Sequence, residues 1–166
     1  MGGSKLKWLM VGGKVKARVA SATQLFNEGK MQSAEMVLRD AIQMFPEYEI
    51  AHCNLGMVLA SLNRLQEAEK ELREAIRLKP FFTDAHAELA SVLFKLGRKP
   101  EAEAAYNDLI QLDSENPFPH MNLATLYVGR GAFDAAEKEY RAALKCRKID
   151  PETKKKLEDM IQGGGA

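Results

Sequence analysis

A helical period of apolar residues runs through the stretch from Glu49 to Phe82. Its apolar side chains recur at three- and four-residue spacing, which places them on one face of a helix. In the first half they are Ala51, Leu55, Val58, Leu59 and Leu62, and in the second half Leu65, Ala68, Leu72, Ala75, Ile76 and Leu78. Asn63 separates the halves, and Pro80 ends the second because proline cannot continue a helix. The pattern predicts two short helices joined by a turn.

This helix pair recurs along the chain at a fixed offset of 34 residues. The four copies are residues 15–48, 49–82, 83–116 and 117–150. Their turn places hold Gly29, Asn63, Gly97 and Gly131, which readily adopt the left-handed backbone that closes a helix. Small residues mark the places where helices must approach closely: Ala22, Gly56, Ala90 and Ala124 in the first helices, and Ala34, Ala68, Ala102 and Ala136 in the second. The pattern predicts a stack of similar helix pairs.

A helix-turn-helix period of 34 residues with this order of small, aromatic and proline places resembles the tetratricopeptide repeat family over residues 15–150. The chain departs from the family in two ways. No tryptophan stands at the fourth place of a repeat, and the terminal proline, present as Pro46 and Pro80, is replaced by Ser114 and Lys148. The resemblance implies an all-α fold: a right-handed tetratricopeptide solenoid of four repeats and a C-terminal capping helix.

The first 14 residues read as an appended or flexible segment. Glycines bracket a short apolar and basic stretch, Lys5–Val11, as they do in engineered linkers. Three interpretations stay open: an inert tag, a cap in which Trp8 covers the first repeat, or a tethered peptide that docks in a groove. The alternation of lysine with Leu6 and Trp8 suits an extended strand in the third case.

The other end of the chain predicts a capping helix over residues 151–162, followed by a flexible tail at 163–166. Asp150, Pro151 and Glu152 are favourable at a helix start. Leu157, Met160 and Ile161 form one apolar edge, which would cover the fourth repeat.

Charge and cysteine content limit the classes of partner and location. The formal net charge is +1, so there is no electrostatic case for nucleic acid, and no apolar run approaches the roughly 18 residues that membrane insertion needs. The third repeat alone is acidic, with seven Asp and Glu against three Lys and Arg. Two cysteines in different repeats favour a reduced, cytoplasmic setting.

No constellation of residues indicates an enzyme, a cofactor or a metal site. His52, His86 and His120 share one place in successive repeats, and a helix pair separates them by more than metal–nitrogen bonds of about 2.1 Å span, which favours a packing role. Cys53 lacks a suitably placed base. Cys146 stands beside Lys145, Arg147 and Lys148, which predicts a lowered thiol pKa.

The resemblance implies a concave groove lined by the first helix of each repeat. Its lining would include Lys16, Val19, Thr23, Ile50, Cys53, Ser61, Asp84 and Val128. The residues that we expect to contact a bound peptide are Phe26, Asn27, Asn54, Met57, Glu88, Ser91, Phe94, Lys95, Phe118, Met121, Asn122 and Thr125.

This lining favours some ligands over others. Relatives that clamp the carboxylate end of heat-shock chaperones place cations where Asp84 and Glu88 stand, so that ligand is disfavoured. The segment Ala51–Gly56 resembles repeats of the O-linked N-acetylglucosamine transferase superhelix, in which such asparagines hold an extended peptide backbone; solvation of the groove by Asn54 and Asn122 is the alternative. We therefore expect a non-catalytic scaffold that binds a protein or peptide partner. The alternatives are self-association, end to end or through residues 1–14, and a regulatory fragment of a larger enzyme.

Overall fold

The structure is a computed structural model that describes residues 2–163, with side chains described for residues 9–161. Within these residues the fold is all-α. The helices are α1 (Gly2–Asn27), α2 (Met31–Met44), α3 (Glu49–Ser61), α4 (Leu65–Leu78), α5 (Thr83–Lys95), α6 (Lys99–Leu112), α7 (Pro117–Val128), α8 (Phe133–Lys145) and α9 (Pro151–Gly163). None of these described helices is both long and apolar enough to cross a membrane.

The turn inside each helix pair has the left-handed backbone that the sequence predicts. The φ angles are 76° at Gly29, 59° at Asn63, 75° at Gly97 and 74° at Gly131. In the first pair, the Lys30 N–H donates to the Leu25 carbonyl at 2.8 Å, which satisfies a carbonyl left unpaired at the helix end. Arg64 and Leu59 repeat this bond in the second pair at 2.9 Å. The predicted turns are confirmed.

Small residues stand where helices meet. Ala34, Ala68, Ala102 and Ala136 are all buried. Gly56 is the tightest contact: a Cβ added there would lie 2.6 Å from Cγ of Leu72 on α4, which is itself fully buried. The first and second helices of this repeat therefore pack at a distance that only glycine allows without movement of Leu72.

The chain divides into two compact units, Met1–Leu96 and Gly97–Ala166, so the boundary lies at the turn of the third predicted repeat. In the first unit, α1 packs on α2, α2 on α3, α3 on α4 and α4 on α5, while α1 contacts α3 and α3 contacts α5. The first helices α1, α3 and α5 thus form one layer and α2 and α4 another. In the second unit, α6 packs on α7, α7 on α8 and α8 on α9.

The chain before Val15 is helical. Helix α1 begins at Gly2 and runs without a break into the first repeat, so the extended strand considered for Lys5–Val11 is wrong. Glycine weakens a helix but does not forbid one. Leu9 and Met10 are each 76% exposed. The side chain of Trp8 lies outside the described residues, and the assignment of residues 1–14 as a tag, a cap or a ligand stays a prediction.

Helix α9 begins as predicted, because the Asp150 carboxylate accepts a hydrogen bond from the Thr153 N–H at 2.9 Å. Its apolar edge is unevenly covered. Leu157 is buried, whereas Met160 is 54% exposed. The capping role of this helix stays a prediction.

Candidate functional site

Four of the predicted lining residues converge on one pocket in the first unit, which we call the Asn54 pocket. Its walls are Thr23 and Phe26 of α1 and Asn54 and Met57 of α3. Its floor is formed by the buried side chains of Ala22, Leu38 and Val58. The pocket has a volume of about 50 Å³ and is almost entirely apolar apart from Thr23 and Asn54. It is therefore a small apolar recess with polar groups at its edge.

The carboxamide of Asn54 is fixed on its nitrogen side. Its Nδ2 donates to the Thr23 hydroxyl at 3.2 Å, and that hydroxyl donates to the Val19 carbonyl at 3.0 Å. Among the described residues, none donates to the Asn54 Oδ1. The half-exposed side chain is thus held in one orientation, with a carbonyl acceptor and a second N–H available for a ligand.

An acidic pair, Asp84 and Glu88, lies on the next first helix, α5. Burial raises the pKa of Glu88; nearby Lys95 opposes this rise and Asp84 adds to it. No described side chain forms an ion pair with either carboxylate. Asp84 and Glu88 are also close enough to act on the Cys53 thiol, the residue next to Asn54. The acidic pair therefore lies near Cys53 of α3, and Glu88 holds the place in its repeat that Asn54 holds in the repeat before it.

The rest of the predicted groove in the first unit is only partly accessible. Val19 and Cys53 are buried beneath the surface rather than lining it. Ser91 and Phe94 are half-buried on α5, and Asn27 and Lys95 are exposed at helix ends.

In the second unit, the predicted groove residues all lie on α7. Phe118 is 61% exposed, Met121 and Asn122 are half-buried, and Thr125 is exposed with its hydroxyl donating to the Met121 carbonyl at 3.0 Å. This helix repeats the combination of an asparagine with apolar neighbours that surrounds Asn54. Whether any of the predicted residues contact a peptide remains a prediction.

The three histidines make hydrogen bonds within their own repeat or to the end of the repeat before it. The Nε2 of His52 lies 2.9 Å from the Pro46 carbonyl and its Nδ1 lies 2.7 Å from a Glu71 carboxylate oxygen. His120 makes the same contact with Glu139 at 2.7 Å. Ala105 takes the equivalent place in the third repeat, so His86 has no such carboxylate partner there, and its Nε2 lies 2.8 Å from the Pro80 carbonyl. These contacts agree with the predicted packing role.

Comparison with known families gives the same repeat assignment. Three models described as "Tetratricopeptide repeat" match the sequence, at residues 25–87, 66–117 and 121–149, which together span most of the chain. This chain belongs to the tetratricopeptide repeat family. No curated protein sequence matches it. The resemblance of Ala51–Gly56 to the glycosyltransferase repeats stays a prediction.

Solved structures of tetratricopeptide repeat proteins share the fold. A crystal structure of MamA is 21% identical, with a TM-score of 0.75, covering 94% of this chain and 87% of that one. PilF of Pseudomonas aeruginosa is 18% identical, with a TM-score of 0.76, covering 92% and 77%. The first repeat domain of Spaghetti (RPAP3), solved with the HSP90 peptide SRMEEVD, is 18% identical, with a TM-score of 0.69, covering 72% and 94%. At these identities the likeness establishes the tetratricopeptide solenoid fold alone.

Neither cysteine of this tetratricopeptide repeat chain is an activated thiol. Burial, with Asp84 and Glu88 nearby, raises the pKa of Cys53 to about 12. The lowered pKa predicted for Cys146 is wrong. Burial raises it, and Glu115 and Asp113 add to the effect. The neighbouring cations are paired with those same acids, Arg147 with Glu115 at 3.1 Å and Lys148 with Asp113 at 2.6 Å.

The floor of the Asn54 pocket is what sequence reasoning missed. Leu38 belongs to a second helix, whereas the groove was expected to be lined by first helices. The available signal was Ala22, a small residue at a close-contact place, because a small side chain there leaves room for Leu38 to pack directly beneath the first helices.

Proposed function

We propose that this chain is a non-catalytic protein-interaction scaffold, which binds a peptide segment of a partner protein on the layer of its first helices. The observation that carries the proposal is the Asn54 pocket, where a fixed carboxamide with an unpartnered oxygen stands beside an apolar recess. A carboxamide matches the alternating donors and acceptors of an extended backbone, and the recess takes a side chain. Asn122 offers the same chemistry within the second unit. The free thiols of Cys53 and Cys146 support a cytoplasmic location.

The kind of peptide differs from the one solved with RPAP3. That peptide is acidic. Here Asp84 and Glu88 would repel a carboxylate, and no described cation pairs with them. An acidic peptide of that kind is therefore a poor ligand for the first unit.

The experiment that tests this function is a peptide-binding screen with a matched pair of variants. Pools of degenerate ten-residue peptides are tested for binding to the full chain, and bound pools are retested against Asn54→Ala. Loss of a backbone-bonding carboxamide is expected to weaken binding about tenfold, corresponding to one good hydrogen bond. Asn107→Ala is the control, because Asn107 is an exposed asparagine on the second helix α6. Binding that Asn54→Ala leaves unchanged contradicts the proposed site.

Self-association is the second candidate function. Two surfaces favour it: the exposed Leu9 and Met10 on α1, and an open groove of about 480 Å³ in the second unit, which apolar side chains line together with Asp134, Glu137 and Arg141. The apolar side chains that line this groove are Val128, Phe133, Tyr140, Met160 and Ile161. Exposed apolar side chains of this kind mark interaction surfaces in many proteins.

A further inference from the structure

The Asn54 pocket limits the size of side chain that it can accept. It has a volume of about 50 Å³ above a floor of buried side chains. A small aliphatic side chain suits such a shallow recess. An aromatic side chain does not fit without moving the floor, and Ala22, Leu38 and Val58 are buried and close-packed.

The acidic pair fixes the charge of whatever lies beside this pocket. Asp84 and Glu88 have no ion-pair partner among the described side chains, and burial of Glu88 disfavours its ionised form. Lys95 is near Glu88 but forms no ion pair with it, so a ligand cation would supply a direct partner, whereas a ligand carboxylate would add to the repulsion. Charge complementarity therefore selects a basic partner for the first unit.

The distance between these features sets the spacing of the ligand residues. Helices α3 and α5 are neighbours in one layer, and packed helices lie about 8–10 Å apart. Asn54 and Glu88 occupy the same place in successive repeats. An extended chain advances about 3.3 Å per residue, so a step of one helix corresponds to about three residues.

We propose that the partner segment is an extended basic peptide, in which an alanine or valine enters the Asn54 pocket and a lysine or arginine about three residues away meets Asp84 and Glu88. This inference rests on the proposed peptide-binding function and names the chemistry of its ligand. Asn54 holds the peptide backbone between the two side chains. The ligand class is thus defined by size at one position and by positive charge at another.

Three synthetic probes test the ligand. Each is a nine-residue glycine-serine peptide with one test residue at position 5 and a charged residue at positions 2 and 8. The charges on both sides allow the peptide to bind in either chain direction. The first carries valine and lysines, the second valine and glutamates, and the third tryptophan and lysines. Binding to the full chain is measured by chemical-shift titration. We expect the valine-lysine probe to bind about fivefold more tightly than the other two. This is the change in affinity expected from one exposed ion pair or from one side chain that fits its pocket.

Two protein variants locate the contact. Glu88→Lys is expected to weaken the valine-lysine probe about tenfold and to remove its preference over the glutamate probe. Asp108→Lys makes the same charge change at an exposed site on α6 and is expected to leave binding unchanged. The amide dispersion of both spectra confirms that the variants are folded.

The outcomes distinguish failure of the basic-peptide inference from failure of the proposed peptide-binding function. If the probes bind equally, or Glu88→Lys and Asp108→Lys act alike, the basic-peptide inference is overturned, while binding of another peptide pool that depends on Asn54 would keep the proposed function. If no pool shows binding that depends on Asn54, both are overturned.

Discussion

His52 has an acceptor within hydrogen-bond distance of each ring nitrogen, the Pro46 carbonyl on one side and the Glu71 carboxylate on the other. Neither acceptor can donate, so both contacts are satisfied only when the ring carries two protons. Burial lowers the pKa of His52, but the bonds to Glu71 and Pro46 and the charges of Glu71 and Glu74 outweigh it and raise the pKa above 6.5. The imidazolium is therefore the form that the fold favours.

This arrangement predicts stability that falls as pH rises. Because the folded pKa is raised, the stabilisation is fully present below pH 6.5 and is lost as pH increases through the folded pKa. Glu71→Gln removes the countercharge and should lower stability by about 1–2 kcal/mol below pH 6.5, with a smaller loss above the folded pKa. Urea unfolding between pH 5.5 and 8.5 measures this.

The control for His52 is Glu137→Gln, which removes an exposed carboxylate on α8. It should shift the stability little and equally at every pH. Parallel pH profiles for the wild type and Glu71→Gln would rule out the role assigned to the His52–Glu71 pair.

At the scale of secondary-structure elements, the close packing of α3 against α4 depends on Gly56. Alanine at this place gains roughly 1 kcal/mol of helix propensity but puts a Cβ 2.6 Å from the Leu72 side chain. Overpacking a core costs about 1–3 kcal/mol, so Gly56→Ala should be destabilising by about 1 kcal/mol. Urea unfolding provides the measurement.

Leu72→Val tests whether this clash is the cause. The double variant should lose less stability than the sum of the two single variants, because valine frees the space that the new Cβ needs. Gly13→Ala in α1 is the matched control, since nothing lies within 4 Å of its added Cβ. Strict additivity of Gly56→Ala and Leu72→Val would show that the clash is relieved elsewhere.

At the scale of the whole molecule, the exposed apolar side chains predict association. Sedimentation equilibrium over a wide concentration range should give a mass that rises with concentration if α1 supplies a contact. Leu9→Glu with Met10→Glu should then restore the monomer, because a buried carboxylate without a partner is costly. Met36→Glu on α2 is the control, at a methionine that is 68% exposed. A mass that is constant with concentration, or reduced equally by both variants, contradicts self-association through α1.

The repeat architecture could be predicted from the sequence because its determinants are local. Apolar spacing within one helix decides which face is buried, and a residue with left-handed backbone, such as Gly97, closes the helix before it. The break into two units at Leu96 had no such signal. Compactness is a property of packing between segments that are distant along the chain, and residue spacing does not show it.

The sequence by itself determined the helix pairs, their turns and the side of each helix that faces the interior, since these follow from periodicity along one short segment. Only the tertiary structure decided the contacts and the solvent exposure of the predicted site residues. It joined Asn54 to Thr23, placed Leu38 beneath them and buried Cys53. It also paired Arg147 and Lys148 with acids, which together with burial reversed the pKa shift expected for Cys146. These properties depend on distances between segments that are far apart in the chain and on the burial that results from their packing. Residue spacing along the sequence does not specify either.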